Sequence, residues 1–152
     1  MSFNGVRLFR YAILGEMAAN LGAIAPMLLA PETVLSFIVK GPNQITPATK
    51  SLAQWVGAVI IALTVPLAFS YPNPKPEAGV PMRRLTYTLL GAGEAALGTV
   101  MAAQFMAGDS GITDGFLIGG TGVMGALCAM RGFFLFVRPN WMEAQGNARK
   151  VR

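Results

Sequence analysis

Apolar residues fill four long stretches of the chain, and charged residues and prolines are concentrated between them. The hydrocarbon core of a bilayer takes about 20 mostly apolar residues of α-helix. The four predicted spans cover about residues 8–29, 52–69, 85–106 and 116–137. The pattern therefore predicts an all-α fold, a four-transmembrane-helix bundle that forms a single integral membrane domain over residues 1–152.

The joints between the spans, at residues 31–50, 71–84 and 108–114, differ in charge. Nine basic residues lie at the N-terminal end, in the middle joint or in the C-terminal tail: Arg7, Arg10, Lys75, Arg83, Arg84, Arg138, Arg149, Lys150 and Arg152. The first and third joints hold only Lys40 and Lys50. By the positive-inside rule both termini face the cytosol, and we expect a protein of the endoplasmic reticulum membrane.

Two short similarities predict an internal repeat. Residues 15–22 (GEMAANLG) resemble residues 93–98 (GEAALG), and residues 69–73 (FSYPN) resemble residues 136–140 (FVRPN). Two repeated helical hairpins around a pseudo-two-fold axis explain both, and because each hairpin starts on the cytosolic side the repeat is parallel. A chance match in a Gly- and Ala-rich sequence is the alternative.

Composition narrows the chemistry that is available. Hydrophobic residues make up 53% and charged residues 12% of the chain, against about 25% charged residues in soluble domains. The chain has no histidine and one cysteine, Cys128, which excludes a Ser-His-Asp triad, a histidine-ligated metal and a disulfide or dithiol pair. We expect no cofactor and no metal. The net charge of +5 comes without a basic stripe of interleaved aromatics, so we expect no nucleic-acid partner.

Three ionisable residues lie well inside the predicted spans: Glu16, Glu94 and Arg131. Each costs about 2.5–3.5 kcal/mol to insert, so such residues pair with one another or mark a site. At a rise of about 1.5 Å per residue, all three lie at comparable depths toward the cytosolic side. We therefore expect them to meet in one cavity.

Other polar side chains accompany this cluster. Asn20 is one turn beyond Glu16 on the same face, and Tyr87 is two turns before Glu94 on its face. Arg10 and Tyr11 lie near the expected cytosolic mouth. The predicted catalytic residues are Glu16, Glu94, Arg131 and Asn20, and the predicted substrate-binding residues are Tyr11, Tyr87 and Arg10.

Two carboxylates beside one guanidinium can adopt different protonation states, which supplies a general base and a general acid without histidine. With Asn20 and a tyrosine holding a water molecule, this set is suited to opening an epoxide. It also suits double-bond isomerisation or cyclisation of a lipophilic substrate. Three alternatives stay open: a structural ion pair that sets helix register, an Arg131 that extends to the interface, and a non-enzymatic sterol- or lipid-binding protein or assembly factor.

With Arg10-Tyr11, the two Gly-Glu pairs (Gly15-Glu16 and Gly93-Glu94) and the Arg131 helix, the chain resembles small four-span membrane proteins of filamentous fungi. Within that group it is similar to the membrane epoxide hydrolase/cyclases of polyene-pyrone polyketide pathways. The resemblance implies hydrolysis or cyclisation of a polyketide epoxide, made by a partner flavin monooxygenase in secondary metabolite biosynthesis. The partners expected are therefore the lipid bilayer, a lipophilic substrate and that monooxygenase; a homo-oligomer stays open.

A second resemblance is chemical. The acid–Arg–acid set of the soluble limonene-type epoxide hydrolases, with Asn and Tyr on the water, is similar in composition to Glu16, Arg131, Glu94, Asn20 and a tyrosine, although that fold is different. Four-span glutathione-dependent enzymes match in length, but their charged second-span motif has no counterpart in residues 52–69, which carry no charge. Four-span quinone reductases that use a cysteine pair are excluded by the single cysteine.

Overall fold

A computed structural model describes residues 4–72 and 76–143 of the chain. Over these residues the chain forms five α-helices and no strand: α1 Gly5–Leu29, α2 Pro31–Ile38, α3 Pro47–Ser70, α4 Pro76–Ala107 and α5 Asp114–Gly132. A π-helical turn, Phe133–Val137, continues α5, and a 3₁₀ turn, Pro139–Met142, follows.

Four segments are long and apolar enough to cross a bilayer: Gly5–Leu29, Pro47–Ser70, Gly79–Ala107 and Asp114–Val137. The predicted all-α, four-span fold is thereby confirmed, and the chain is a multi-pass integral membrane protein. Within the most apolar window of each segment only 11 to 17% of the residues are buried. Most of the apolar surface of the helices is therefore left to face lipid, which suits a bundle whose solvent is the bilayer.

Local signals explain where the first helices begin. The Asn4 side chain accepts a hydrogen bond from the Arg7 N–H and caps α1. At the start of α3, Thr46 and Thr49 form a reciprocal capping box around Pro47 in the first turn. Both arrangements satisfy amide donors that a helix leaves free at its N-terminus.

The helices pair as two antiparallel hairpins, α1 with α3 and α4 with α5. Glycine permits the close approach in each hairpin. A Cβ atom on Gly57 of α3 would lie 3.2 Å from the side chains of Met27 and Leu28, and one on Gly98 of α4 would lie 3.1 Å from Met124 Cβ. Such small residues let membrane helices pack closely without a hydrophobic driving force.

The first joint is more ordered than expected, because it contains α2 and a 3₁₀ turn, Pro42–Gln44. It also pairs with the third joint. Val39 and Ile112 form an antiparallel bridge, and the Thr113 N–H donates to the Ile38 carbonyl oxygen at 2.7 Å. Together these two joints close one end of the bundle.

The prediction that the middle joint extends to residue 84 is wrong. The helix α4 already begins at Pro76, so Arg83 and Arg84 lie within it. Arg83 is buried there, because backbone carbonyl groups of neighbouring segments surround its guanidinium. Of the other basic residues used to orient the chain, Lys75, Arg149, Lys150 and Arg152 lie outside the described residues.

The buried core lies at the end of the bundle where α1 and α4 begin. Its members come from all four spanning helices and the C-terminal turn: Phe9, Ile13, Leu67, Tyr87, Leu90, Phe134 and Met142. The rings of Phe9, Tyr87 and Phe134 contact one another, with centroids 5.1 to 6.0 Å apart. This aromatic group contacts the buried polar side chains described below, because Arg131 packs over the Tyr87 ring.

Candidate functional site

Glu16 is directed into the bundle by the pattern of α1. Phe9, Ile13, Glu16 and Asn20 follow one another at spacings of four, three and four residues, so they share one face of a helix with 3.6 residues per turn. Phe9 and Ile13 are fully buried on that face. The Glu16 side chain is consequently carried inward and is only 8% exposed.

Glu94 is placed by the corresponding face of α4. Arg83, Tyr87, Leu90 and Glu94 also recur at intervals of three and four residues, and the first three are buried. The Glu94 side chain is 12% exposed. Two carboxylates on separate hairpins are thus brought to the middle of the bundle.

Arg131, in the last turn of α5, joins the two carboxylates. Its Nε donates to Glu94 Oε2 at 2.7 Å and its Nη2 donates to Glu94 Oε1 at 2.6 Å. The same Nη2 also donates to Glu16 Oε1. The predicted contact among these three residues is confirmed, and the cavity expected around them stays a prediction. Because the Arg131 side chain is only 1% exposed, the idea that it extends to the interface is wrong.

The cluster binds its two carboxylates unequally. Glu94 has both oxygens bonded to the guanidinium, an arrangement with strong directional preference. Glu16 has only one oxygen bonded, and its Oε2 is buried without a hydrogen-bond partner, as are Arg131 Nη1 and the Tyr87 hydroxyl. Buried polar atoms are nearly always hydrogen-bonded. One acceptor and two donors are therefore left available in a single buried cluster.

Tyr87 belongs to this cluster through its ring as well. The Arg131 Cζ atom lies 4.9 Å from the centroid of the Tyr87 ring, which is within the range of a cation–π contact. Gly91, one turn further along α4, makes room for the arginine, since a Cβ atom there would lie 3.3 Å from Arg131 Cδ. Its i+4 relation to Tyr87 is the signal in the sequence that marks Gly91 as a neighbour of the cluster.

Arg83 is a second buried arginine that sequence reasoning missed. Its Nε donates to the Ser70 carbonyl oxygen, its Nη1 to that of Met142 and its Nη2 to that of Pro72, each at 2.7 Å. These bonds satisfy carbonyl groups at the end of α3 and in the C-terminal turn. The signal was its position one turn before Tyr87.

The two buried arginines lie at opposite ends of an aromatic pair. Arg131 contacts the Tyr87 ring, the rings of Tyr87 and Phe9 are 5.1 Å apart, and Arg83 Cζ lies 5.1 Å from the Phe9 centroid. Phe134 packs edge-on against both rings. The polar cluster is thereby held on a rigid aromatic support.

The remaining predicted site residues do not join the cluster. The Asn20 Nδ2 atom donates to Thr64 Oγ1 of α3 at 2.9 Å. Tyr11 is 65% exposed, and Arg10 packs over the ring of Tyr71 at 4.6 Å. The physical reason is rotation, since successive residues turn by about 100° and residues 10 and 11 leave the face that Glu16 shares.

Among residues 4–72 and 76–143, no group of three or more His, Cys, Asp or Glu side chains could hold a metal ion. Comparison of the chain with protein-family models, curated proteins and solved structures finds no match. The site is therefore interpreted from its own geometry.

Proposed function

We propose that the protein is a membrane-embedded epoxide hydrolase or cyclase that acts on a lipophilic, polyketide-like epoxide by acid/base catalysis. The observation that carries the proposal is the set of buried atoms without partners in the Glu16–Arg131–Tyr87 cluster: one carboxylate oxygen and two donors. An epoxide opening needs this combination, a base for the incoming nucleophile and donors for the oxygen that leaves carbon.

In the proposed reaction, Glu16 Oε2 accepts a proton from a water molecule as the water oxygen bonds to an epoxide carbon. The C–O bond of the ring breaks, and Arg131 Nη1 and the Tyr87 hydroxyl donate hydrogen bonds to the developing alkoxide. The proton on Glu16 then passes to that oxygen, so that water is added and the protein is restored. An internal hydroxyl in place of water gives a cyclic ether.

Glu94 has a different role in this proposal from the one expected of a carboxylate pair. Both of its oxygens are bonded to Arg131, which leaves no free lone pair in the direction of the guanidinium. Glu94 acts as a positioning residue that orients the arginine, and Glu16 is the carboxylate that contacts the reacting atoms. The different hydrogen bonding of Glu16 and Glu94 therefore gives the two carboxylates different roles.

A route for substrate is suggested by the glycine that precedes each glutamate. A Cβ atom on Gly15 or Gly93 would have no neighbour within 4 Å, so the backbone beside each carboxylate is open. A lipophilic substrate in the bilayer can contact this surface, and the side chains of the cluster must move for it to reach the buried Glu16 Oε2. The resemblance to membrane epoxide hydrolase/cyclases of fungal polyketide pathways suggests the substrate class and a flavin monooxygenase as its supplier.

The test uses the full chain in lipid nanodiscs with a panel of long-chain and polyene epoxides in H₂¹⁸O. We expect a diol carrying ¹⁸O, or a cyclic ether from substrates with an internal hydroxyl. Glu16→Gln should lower the rate by about 10²-fold or more, the usual contribution of a positioned general base. Asp109→Asn, which neutralises an exposed carboxylate in the third joint, is the control and should retain the wild-type rate. Full activity in Glu16→Gln contradicts the proposal, whatever the rate of Glu94→Gln.

Close packing favours a second candidate, a non-enzymatic lipid- or sterol-binding membrane protein. Arg131 is 1% exposed and Tyr87 is fully buried, as in a cluster that only joins helices. In that case Glu16→Gln leaves ligand binding intact and no epoxide is turned over by the wild type. An isomerase would use the same base and donors, and is separated by product analysis with unsaturated ketones.

A further inference from the structure

A second polar feature lies at the end of the bundle where α1 begins. Arg7, Arg10 and Tyr11 of α1 and Tyr71, directly after α3, line an open depression of about 420 Å³. Sites for small ligands span about 300–1,000 Å³. The depression is therefore large enough for a phosphate group together with part of a headgroup.

Among the residues that the structure describes, the side chains that line the depression are two arginines and two tyrosines, with no carboxylate. Arg10 is held in place by its contact with the Tyr71 ring, and its Nε is buried without a hydrogen-bond partner. Arginine presents donors in a rigid planar arrangement that matches phosphate oxygens. The depression thus offers two positive side chains, one of which is partly preorganised by its contact with an aromatic ring.

Its position in the membrane points to the source of the anion. The depression lies at one end of a spanning helix, the level at which tyrosines and arginines meet phospholipid headgroups. Arg10 and Tyr11 are rotated away from the inner face that carries Glu16. The feature is separate from the Glu16–Arg131–Tyr87 cluster and does not depend on the function proposed for it.

We propose that this depression binds a phosphate anion, with Arg7 and Arg10 as its ligands and an acidic phospholipid headgroup as its source. Arg10 donates through its terminal nitrogens, and the exposed Arg7 adds a second charge. The two tyrosines supply hydroxyl groups at the rim. A free phosphate or phosphomonoester has the same binding chemistry and is separated from the lipid by the test.

The test is native mass spectrometry of the full chain in a neutral detergent. It is titrated with dioctanoyl phosphatidylglycerol, with dioctanoyl phosphatidylcholine, which has the same chains and no net charge, and with inorganic phosphate. We expect phosphatidylglycerol to bind more tightly than phosphatidylcholine, and Arg7→Gln/Arg10→Gln to weaken its binding about tenfold or more, as for the loss of charge-assisted hydrogen bonds. Phosphate that binds with the same arginine dependence assigns the site to free anions.

The matched control is Arg84→Gln, which removes an exposed positive charge that does not line the depression and should change binding less than about twofold, because salt screens an exposed charge outside the site. If Arg10→Gln prevents folding, Arg7→Gln alone tests the proposal, because Arg7 is exposed. Equal binding of the two lipids, or equal losses in Arg84→Gln and the double variant, overturns the proposal.

Discussion

The second spanning helices of the two hairpins carry different polar residues at matching positions. Thr64 on α3 and Arg131 on α5 each lie eight residues before a Pro-Asn pair. In the first hairpin, Asn20 donates to Thr64 at 2.9 Å, and the threonine hydroxyl donates to the Ile60 carbonyl oxygen of its own helix. In the second hairpin, the matching position holds a cation that bonds to Glu94. One hairpin is joined by neutral groups and the other by an ion pair.

This difference explains why the cluster spans both hairpins. Thr64 offers no positive charge where α5 has Arg131, so Glu16 pairs with the arginine of the other hairpin. The same number of residues separates Glu16 from Glu94 and Phe9 from Tyr87, and both pairs meet at the centre. The asymmetry leaves Glu16 with one oxygen free, and the proposed chemistry depends on that oxygen.

The largest loss of stability is expected when Arg131, the cation of the buried cluster, is removed. Arg131→Met leaves two carboxylates buried without a partner, so we expect the free energy of unfolding to fall by about 3–5 kcal/mol. Equilibrium unfolding in mixed detergent micelles measures this change. Arg84→Met, at an exposed position in α4, is the control and should change the value by less than about 0.5 kcal/mol.

A triple variant separates an unpaired charge from lost packing. In Glu16→Gln/Glu94→Gln/Arg131→Met no charge remains in the cluster, and we expect much of the stability to return, since replacing a whole buried ion cluster is often close to neutral. A triple variant as unstable as Arg131→Met alone would instead attribute the loss to packing around the arginine side chain.

Most of the fold follows from the sequence, because four apolar stretches of sufficient length leave few alternatives in a bilayer. The meeting of Glu16, Glu94 and Arg131 follows for a related reason, since each is costly in the bilayer and all lie at one depth. The start of α4 at Pro76, by contrast, could not be predicted from the sequence. Charged and proline-containing residues are typical of a joint, and the burial of Arg83 depends on carbonyl groups from Ser70 and Met142 that only tertiary folding supplies.

The rest of the site was predicted less well, because helix rotation and hydrogen-bond partners depend on packing. Depth alone grouped Arg10 and Tyr11 with the cluster, whereas their rotation around α1 places them in a separate depression. Asn20 does lie on the face of Glu16, as predicted, but its amide donates to the Thr64 hydroxyl of α3. Because Thr64 is uncharged, nothing in the sequence pointed to it as the partner of Asn20.

A smaller effect is expected at the neutral pair of the first hairpin. Thr64→Val removes the acceptor for the Asn20 amide, and hydrogen bonds between membrane helices contribute about 0.6 kcal/mol on average and about 1.7 kcal/mol at most. The same unfolding measurement applies. Thr99→Val is the matched control, because the exposed Thr99 hydroxyl bonds only to the Ala95 carbonyl oxygen of its own helix. If Thr64→Val lowered the free energy of unfolding as much as Arg131→Met does, the neutral pair would stabilise the bundle as strongly as the ion pair, and the proposed difference between the hairpins would be wrong.

The smallest effect should come from the other ion pair that joins the hairpins. Lys40 Nζ lies 3.2 Å from Asp114 Oδ1 at the end closed by the two joints, and the two side chains are 41% and 64% exposed. Water and salt reach both charges, so Lys40→Met should lower the free energy of unfolding by only about 0.2–1 kcal/mol, and the loss should shrink further in 1 M salt. Lys50→Met is the comparison. Lys50 pairs with Glu32 within the first hairpin, so this variant measures the cost of losing an exposed pair that does not involve α5. Should Lys40→Met cost several kcal/mol at high salt, the hairpins would be held together at their exposed end, and the buried arginine would not be the main connection between them.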